Sequence, residues 1–225
     1  MEDILQQCKI PYDSRKNSMR IWRVRTLQYA IHNRGGDAKG LRLQHRNGCY
    51  NCQLACKDEH VENDWSPYAK PQPETGHFWM KIVEMERGSI PKVKVTYLPL
   101  LCQHCDNAPC IPACPVNAIY KRADGLVIID PVKCNGCKAC IDACPYGVIY
   151  FNDELKIAQK CTGCAHLLDG VGLGDGQPRK PRCVDSCPHE GEAIIFGEYD
   201  ELKDIIAKAE VLHPEYGTKP RVYYL

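Results

Sequence analysis

Two runs of cysteine constrain this chain more than any other feature. Cys102-x2-Cys105-x4-Cys110-x3-Cys114-Pro115 is followed, after a short apolar stretch, by Cys134-x2-Cys137-x2-Cys140-x3-Cys144-Pro145. The second run has the spacing by which bacterial proteins hold a [4Fe–4S] cluster, the fourth Cys serving the other cluster of a pair. The first run is the same pattern with two residues added before its third Cys. Cross-ligation then assigns Cys102, Cys105, Cys110 and Cys144 to one cluster. Cys134, Cys137, Cys140 and Cys114 fall to its neighbour.

The spacing suits the chemistry. A cubane offers four iron corners, each needing a thiolate. Three Cys on one tight loop reach three corners, and the loop aims backbone N–H groups at the sulfurs. The fourth comes from the start of the helix that follows the partner motif. Gly136, inside the loop, is expected to let backbone approach the cluster. Pro115 and Pro145 fix φ and remove a donor. Zinc ribbons use two Cys-x2-Cys pairs, a different pattern. Disulfides fit cluster spacings poorly, and the acidic start Met1-Glu2-Asp3 with no apolar core after it is not a secretory signal. Nor is there a twin-Arg pair, because Val24 separates Arg23 from Arg25.

Two further motifs flank this pair. Cys49-x2-Cys52-x3-Cys56 is a third run with its first position missing: counting back three from Cys49 lands on Arg46. Cys161-x2-Cys164 is followed, after eighteen intervening residues, by Cys183-x3-Cys187-Pro188. The same logic gives one cluster to Cys161, Cys164, Cys183 and Cys56. The other takes Cys49, Cys52 and Cys187, with a fourth ligand unidentified. His45 or Cys8 completes it, or it is a [3Fe–4S] or incomplete cluster; the residues leave all three open. Fifteen of the sixteen Cys are then used, Cys8 being the remainder.

Composition limits the alternatives. A net charge of +1 gives no general attraction to nucleic acid or an anionic membrane, and no apolar run is long enough to span a bilayer. A cytoplasmic location is expected. Between Arg15 and Arg46 there are nine Lys or Arg against one acid, Asp37. Residues 1–46 therefore read as a basic extension, disordered or not part of the native chain. Alternating side chains in Lys81–Glu86 and Val93–Tyr97 predict a hairpin turning near Gly88-Ser89. Val148–Phe151 and Leu155–Ala158 predict another. The aromatics between Trp65 and Trp79 read as core under a loop or as a partner contact. Gly170, Gly172, Gly174 and Gly176 read as a surface loop. Leu202, Ile205, Ile206 and Ala209 predict a helix over 198–210. The tail, 217–225, is expected to be extended, lying on its own domain or on another subunit.

The order of the four motifs resembles the iron–sulfur subunits of the DMSO reductase family. So do the residues between them: Lys57–His60, Asn63–Trp65, Gly76–Met80, Gln159–Asp169 and Gly217–Tyr224. Within that family these stretches are similar to the small subunits of the pyrogallol–phloroglucinol transhydroxylase, resorcinol hydroxylase and catechol dehydroxylase group. The resemblance implies a large molybdopterin (bis-MGD) catalytic subunit as partner, acting on polyhydroxylated aromatics. It also implies that the first and fourth motifs hold the cluster nearest that subunit. The complete third motif departs from the transhydroxylase pattern and favours net electron transfer. The fold expected is α+β, with two interleaved ferredoxin-like [4Fe–4S] dicluster modules carrying loop insertions. Residues 47–100 with 150–197 form the first module, 101–149 the second, and 198–225 a helix and tail. Four clusters and no catalytic residue are expected, since no nucleophile–base pair is evident. The rival readings are a subunit of a respiratory oxyanion or sulfur-compound reductase, a free multicluster ferredoxin, and a zinc module gripping nucleic acid.

Overall fold

The computed structural model describes residues 39–41, 48–171, 175–188 and 194–224. The architecture is α+β, with short helices alternating with two-stranded antiparallel ladders. Such ribbons are marginal alone. Here they lean on a common core in which cysteines sit among the buried apolar side chains.

Strands β1 (Lys39–Leu41) and β8 (Phe196–Glu198) pair across the chain. Residues 39–41 lie in the segment read as a basic extension, disordered or not native; the rest of that segment is outside the described residues. The pairing is tertiary: a strand near the start finds its partner more than a hundred residues on. Cys8, His45 and Arg46 lie outside the described residues.

Helix α1 (Asn51–His60) follows. Strands β2 (Met80–Ser89) and β3 (Lys92–Leu101) then form the longest ladder, from Met80↔Leu101 to Ser89↔Lys92. Its base is buried through Met80, Ile82, Leu98 and Leu101, whereas Ile90 at the tip is 90% exposed. The turn is Ile90-Pro91, beyond the expected Gly88-Ser89. Gly88 sits inside the ladder at φ 99°, where an added Cβ would lie 2.2 Å from the Lys92 carbonyl oxygen. The glycine serves close strand approach, not reversal. Trp79 is buried and Trp65 stacks on His166 at 4.4 Å, so these two aromatics belong to the core.

Strands β4 (Ile119–Lys121) and β5 (Val127–Ile129) make the next ladder. Leu126, Val127, Ile128 and Ile129 are consecutive and all buried, covered on both faces. Helix α2 (Ala139–Ala143) and the β6 (Tyr150–Asn152)–β7 (Ile157–Gln159) hairpin come after. The Asn152 side chain accepts from the Glu154 and Leu155 N–H groups at 3.0 Å, which closes that turn.

The gap between Cys164 and Cys183 opens with a buried helix, α3 (Ala165–Leu168), which four residues are too few to announce by periodicity. Helix α4 (Arg182–Asp185) ends it. Helix α5 (Tyr199–Ile206) starts with a capping box between Glu198 and Glu201 and stops before Ala209. Glu210 and Val211 instead form β9, paired with β10 (Tyr223–Tyr224). The tail lies on its own chain. Asp106 and Asn107 N–H groups donate to Lys219 and Thr218 carbonyls, and Arg221 N–H donates to Gln103. Val222 and Tyr224 are buried. No helix among the described residues is long and apolar enough to cross a membrane.

Ile128 is fully buried. Ile128→Ala should lower stability by about 2–5 kcal/mol, whereas Ile90→Ala at the exposed tip should change it by less than about 0.5 kcal/mol. Urea unfolding of anaerobically prepared protein measures both, and equal costs would show that the β4–β5 ladder is not the core.

Candidate metal centres

The loops that carry the cysteines share a backbone device. In Cys102–Cys105, Cys134–Cys137 and Cys161–Cys164 the residue before the second Cys has positive φ: His104 at 43°, Gly136 at 73° and Gly163 at 67°. This curls each loop so that its two sulfurs face one side. Gly136 has a second reason besides its φ. A Cβ there would lie 2.3 Å from the Lys156 carbonyl oxygen, so the close approach is to the β6–β7 hairpin. Backbone N–H groups reach sulfur from several elements, among them Ala118 to Cys114 (3.3 Å), Ala158 to Cys134 (3.5 Å) and Gly163 to Cys161 (3.4 Å).

The motif that begins at Cys49 shows the same geometry one step out of view. Gly48 (φ 51°) and Tyr50 (φ 57°) flank Cys49 as Gly136 (φ 73°) and Lys138 (φ 64°) flank Cys137. A helix then starts at the equivalent place, Asn51 against Ala139. By this register Arg46 stands at the position Cys134 holds.

Each Cys-x3-Cys pair spans about one helical turn, a rise of about 6 Å. Its two sulfurs therefore serve different neighbourhoods. Cys56, Cys161, Cys164 and Cys183 line one hollow, together with His60, Met80 and Leu101. Cys102, Cys105, Cys110 and Cys144 line another, with Val127, Tyr146 and Ile149. Cys52 is influenced by Cys49 and Cys187, and Cys140 by Cys134, Cys137 and Cys114. Four sets result: Cys49, Cys52 and Cys187; the first hollow; the second hollow; and Cys114, Cys134, Cys137 and Cys140. Among the described residues, all fifteen cysteines are free thiols.

Burial and crowding raise the thiols of these sets. Burial, then neighbouring thiols, pushes Cys52 and Cys105 up to about 12. Cys110 and Cys164 also reach about 12, and Cys140 and Cys161 about 11. Cys56 and Cys183, fully enclosed, are pushed well up by burial, then by Cys161 and Cys164 for Cys56 and by Cys164 and Cys56 for Cys183. Four thiolates so placed need a cationic core. An iron–sulfide cubane, with one iron per thiolate, fits this donor set. Among the described residues no three His, Cys, Asp or Glu side chains form a single-ion site. Tetrahedral zinc would draw its sulfurs to about 3.8 Å apart, given its bond length.

The sets follow one another. Cys52 of the first raises Cys56 and Cys183 of the second. Cys102 of the third raises Cys161 of the second, and Cys140 of the fourth raises Cys110 of the third. The middle sets are buried, apart from half-buried Cys144; at the ends Cys49 is half-buried and Cys137 exposed.

Around the second set lies a polar network that residue spacing did not indicate. Glu59 is buried and accepts from His166 Nε2 (2.9 Å, the ring nitrogen protonated) and Arg182 Nε (2.6 Å). Burial pushes its carboxyl up, but those two partners outweigh it and hold it below the usual carboxylate range. His60 stacks near Trp79 and places Nε2 3.9 Å from the Cys164 sulfur. Burial holds it neutral, down to about 3. The only sequence signal was helical: Glu59 and His60 fall three and four residues after Cys56. Lys160, also buried, donates to the Val127 and Cys161 carbonyls.

Comparison with known proteins gives the family. Residues 93–199 match a family described as a 4Fe-4S dicluster domain. The chain is 44% identical over 182 residues to the pyrogallol hydroxytransferase small subunit of Pelobacter acidigallici, covering 78% of this chain and 63% of that one. It is 33% identical over 237 residues to the arsenate respiratory reductase iron-sulfur subunit of a Shewanella species, covering 81% and 93%. It is 37% identical over 188 residues to a tetrathionate reductase subunit of Salmonella typhimurium, covering 79% and 67%. The chain is an iron–sulfur subunit of the DMSO reductase family. As a member of that family it carries a ferredoxin-like dicluster domain, and the hollows described above lie within or against it.

Glu59 has a folded pKa below its ordinary 4.5. It therefore contributes stability that is full above pH 4.5 and is lost as pH falls through the folded value. Glu59→Gln should cost about 1–3 kcal/mol at pH 7, and the gap from wild type should narrow on acidification towards pH 4. Urea unfolding of anaerobic protein at several pH values tests this; a gap constant with pH would remove the carboxylate from the account.

Proposed function

We propose that this subunit relays single electrons through four clusters to or from a large molybdopterin (bis-MGD) catalytic subunit that acts on polyhydroxylated aromatics. The observation that carries the reading is the line of four thiol sets, buried in the middle and more open at both ends. Cys102, Cys105, Cys110 and Cys144 hold one [4Fe–4S] cluster. Cys114, Cys134, Cys137 and Cys140 hold the next. Cys56, Cys161, Cys164 and Cys183 hold the third. Cys49, Cys52 and Cys187 hold the last, whose fourth ligand is His45, Cys8 or none. A bound cluster takes up and gives back one electron at a time.

The chain's own residues do the rest. The Cys-x3-Cys pairs set the spacing between the first and second sets, and between the third and fourth, at about one helical turn. Leu101, Met80, Val127 and Ile149 keep water from the middle. N–H groups such as Gly163 donate to sulfur and favour the thiolate. Two interleaved modules, 47–100 with 150–197 and 101–149, follow from the crossed assignments. The substrate class is supported by the 44% identity to the pyrogallol hydroxytransferase small subunit. A second reading, the electron subunit of an oxyanion or sulfur-compound reductase, is favoured by the match over 93% of the arsenate reductase subunit.

Anaerobically purified protein should contain about four iron and four sulfide for each cluster held. A large molybdenum- or tungsten-containing chain should co-purify, and its substrate decides between the two readings. Cys137→Ser should alter one EPR signal and slow turnover with an external donor. Unchanged spectra and turnover would remove Cys137 from the ligands, and protein lacking both iron and sulfide would end the relay reading.

A further inference from the structure

Lys160 leads straight from β7 into Cys161 and is 2% exposed. Its ammonium donates to the carbonyl oxygen of Val127 and, at 3.0 Å, to that of Cys161. Val127 lines the hollow of Cys102, Cys105, Cys110 and Cys144, and Cys161 lines the hollow of Cys56, Cys164 and Cys183. The cation is therefore built into the partition between the two buried sets. The nearby cations Lys121 and Arg221 share the carboxylate of Asp106, and Lys57, which also donates to carbonyls, is only part-buried. Among the described residues, Lys160 is bonded to carbonyl oxygens alone. An ammonium buried without a counter-charge is costly. The counter-charge at hand is sulfur, on both sides.

We propose that Lys160 is a fixed positive charge shared by the second and third thiol sets, placed there to make the clusters they hold easier to reduce. The inference rests on the relay reading of those sets. Reduction adds one negative charge to a centre already ringed by thiolates. Burial opposes that addition, since a charge is disfavoured in a low dielectric. A cation within a few ångströms offsets the opposition, and more strongly inside than at the surface. Lys160 touches no sulfur, so it acts on the clusters by its field and leaves ligation to the cysteines. One residue thus acts on two neighbouring centres, which keeps the middle of the line from becoming a barrier between its ends.

The test is a redox titration followed by EPR, on anaerobically prepared wild type and the variants Lys160→Met, Lys160→Gln and Lys160→Arg, with iron and sulfide assayed first. Met keeps the bulk and removes the charge; Gln keeps a donor for the carbonyls; Arg keeps the charge. The expected result is full iron in all four proteins. In Met and Gln, two midpoints should fall by at least tenfold in the reduction equilibrium, which is 59 mV for one electron. The other two midpoints should hold, and Arg should restore wild-type values. Four unchanged midpoints, or four moving alike, would overturn the proposal. If Met and Gln both lose iron while Arg retains it, the charge holds the centres together and does not merely set their potentials, and the proposal falls. If Arg loses iron too, the side chain is a packing element and the proposal falls. Wild type without iron would instead sink the relay reading itself, so the first assay separates the two failures.

Discussion

The rest of the structure depends on crowding sulfur where water is scarce. A thiol ligates only as a thiolate, and burial among other thiols pushes Cys52, Cys105, Cys110 and Cys164 up to about 12. The polypeptide alone therefore gains little from bringing four of them together. What does gain is the complex with a metal core, because metal binding and folding share one free energy. This explains why the ladders are short and why only three Phe are present in 225 residues. The apolar walls are thin, and on the proposed reading inorganic material completes the core.

That demand also explains the local geometry. A loop can turn two sulfurs to one side only by passing through the left-handed region, so His104, Gly136 and Gly163 take positive φ. The peptide chain then has to leave, and it does so through a helix or turn whose rise sets the step to the next set. The tail serves the same end from outside. Its Lys219 and Thr218 carbonyls accept from the Asp106 and Asn107 N–H groups, respectively, just past Cys105, fixing a loop that has no long strand of its own.

Legibility followed the distance over which each feature is decided. The cysteine spacing is local, so candidate ligands and a dicluster domain could be read directly. Alternation is local too, and the β2–β3 and β6–β7 ladders were readable from it. The turn at Ile90-Pro91 was not, because Gly88 imitates a turn residue while serving inside the strand. Helix α3 is buried by what packs on it, and nothing in Ala165–Leu168 says so. The pairs Glu59–His166 and Glu59–Arg182 join residues 107 and 123 apart, beyond any spacing argument. Lys160 is the plainest case, since a lysine beside a cysteine reads as surface until the fold encloses it.

Exposure along the line of sulfur sets carries the last step. Cys137 is open to solvent and Cys49 half-buried, while Cys56, Cys161, Cys164 and Cys183 are enclosed. Solvent tolerates an added charge and a dry interior resists it. If burial alone set the potentials, an electron would dwell at the ends and avoid the middle. The middle is also where the fold encloses Lys160 against two carbonyl oxygens. A buried cation is one means a rigid protein has to level such a profile without admitting water. The pattern of exposure and the placement of charge thus answer each other, which a purely structural role for either would not require.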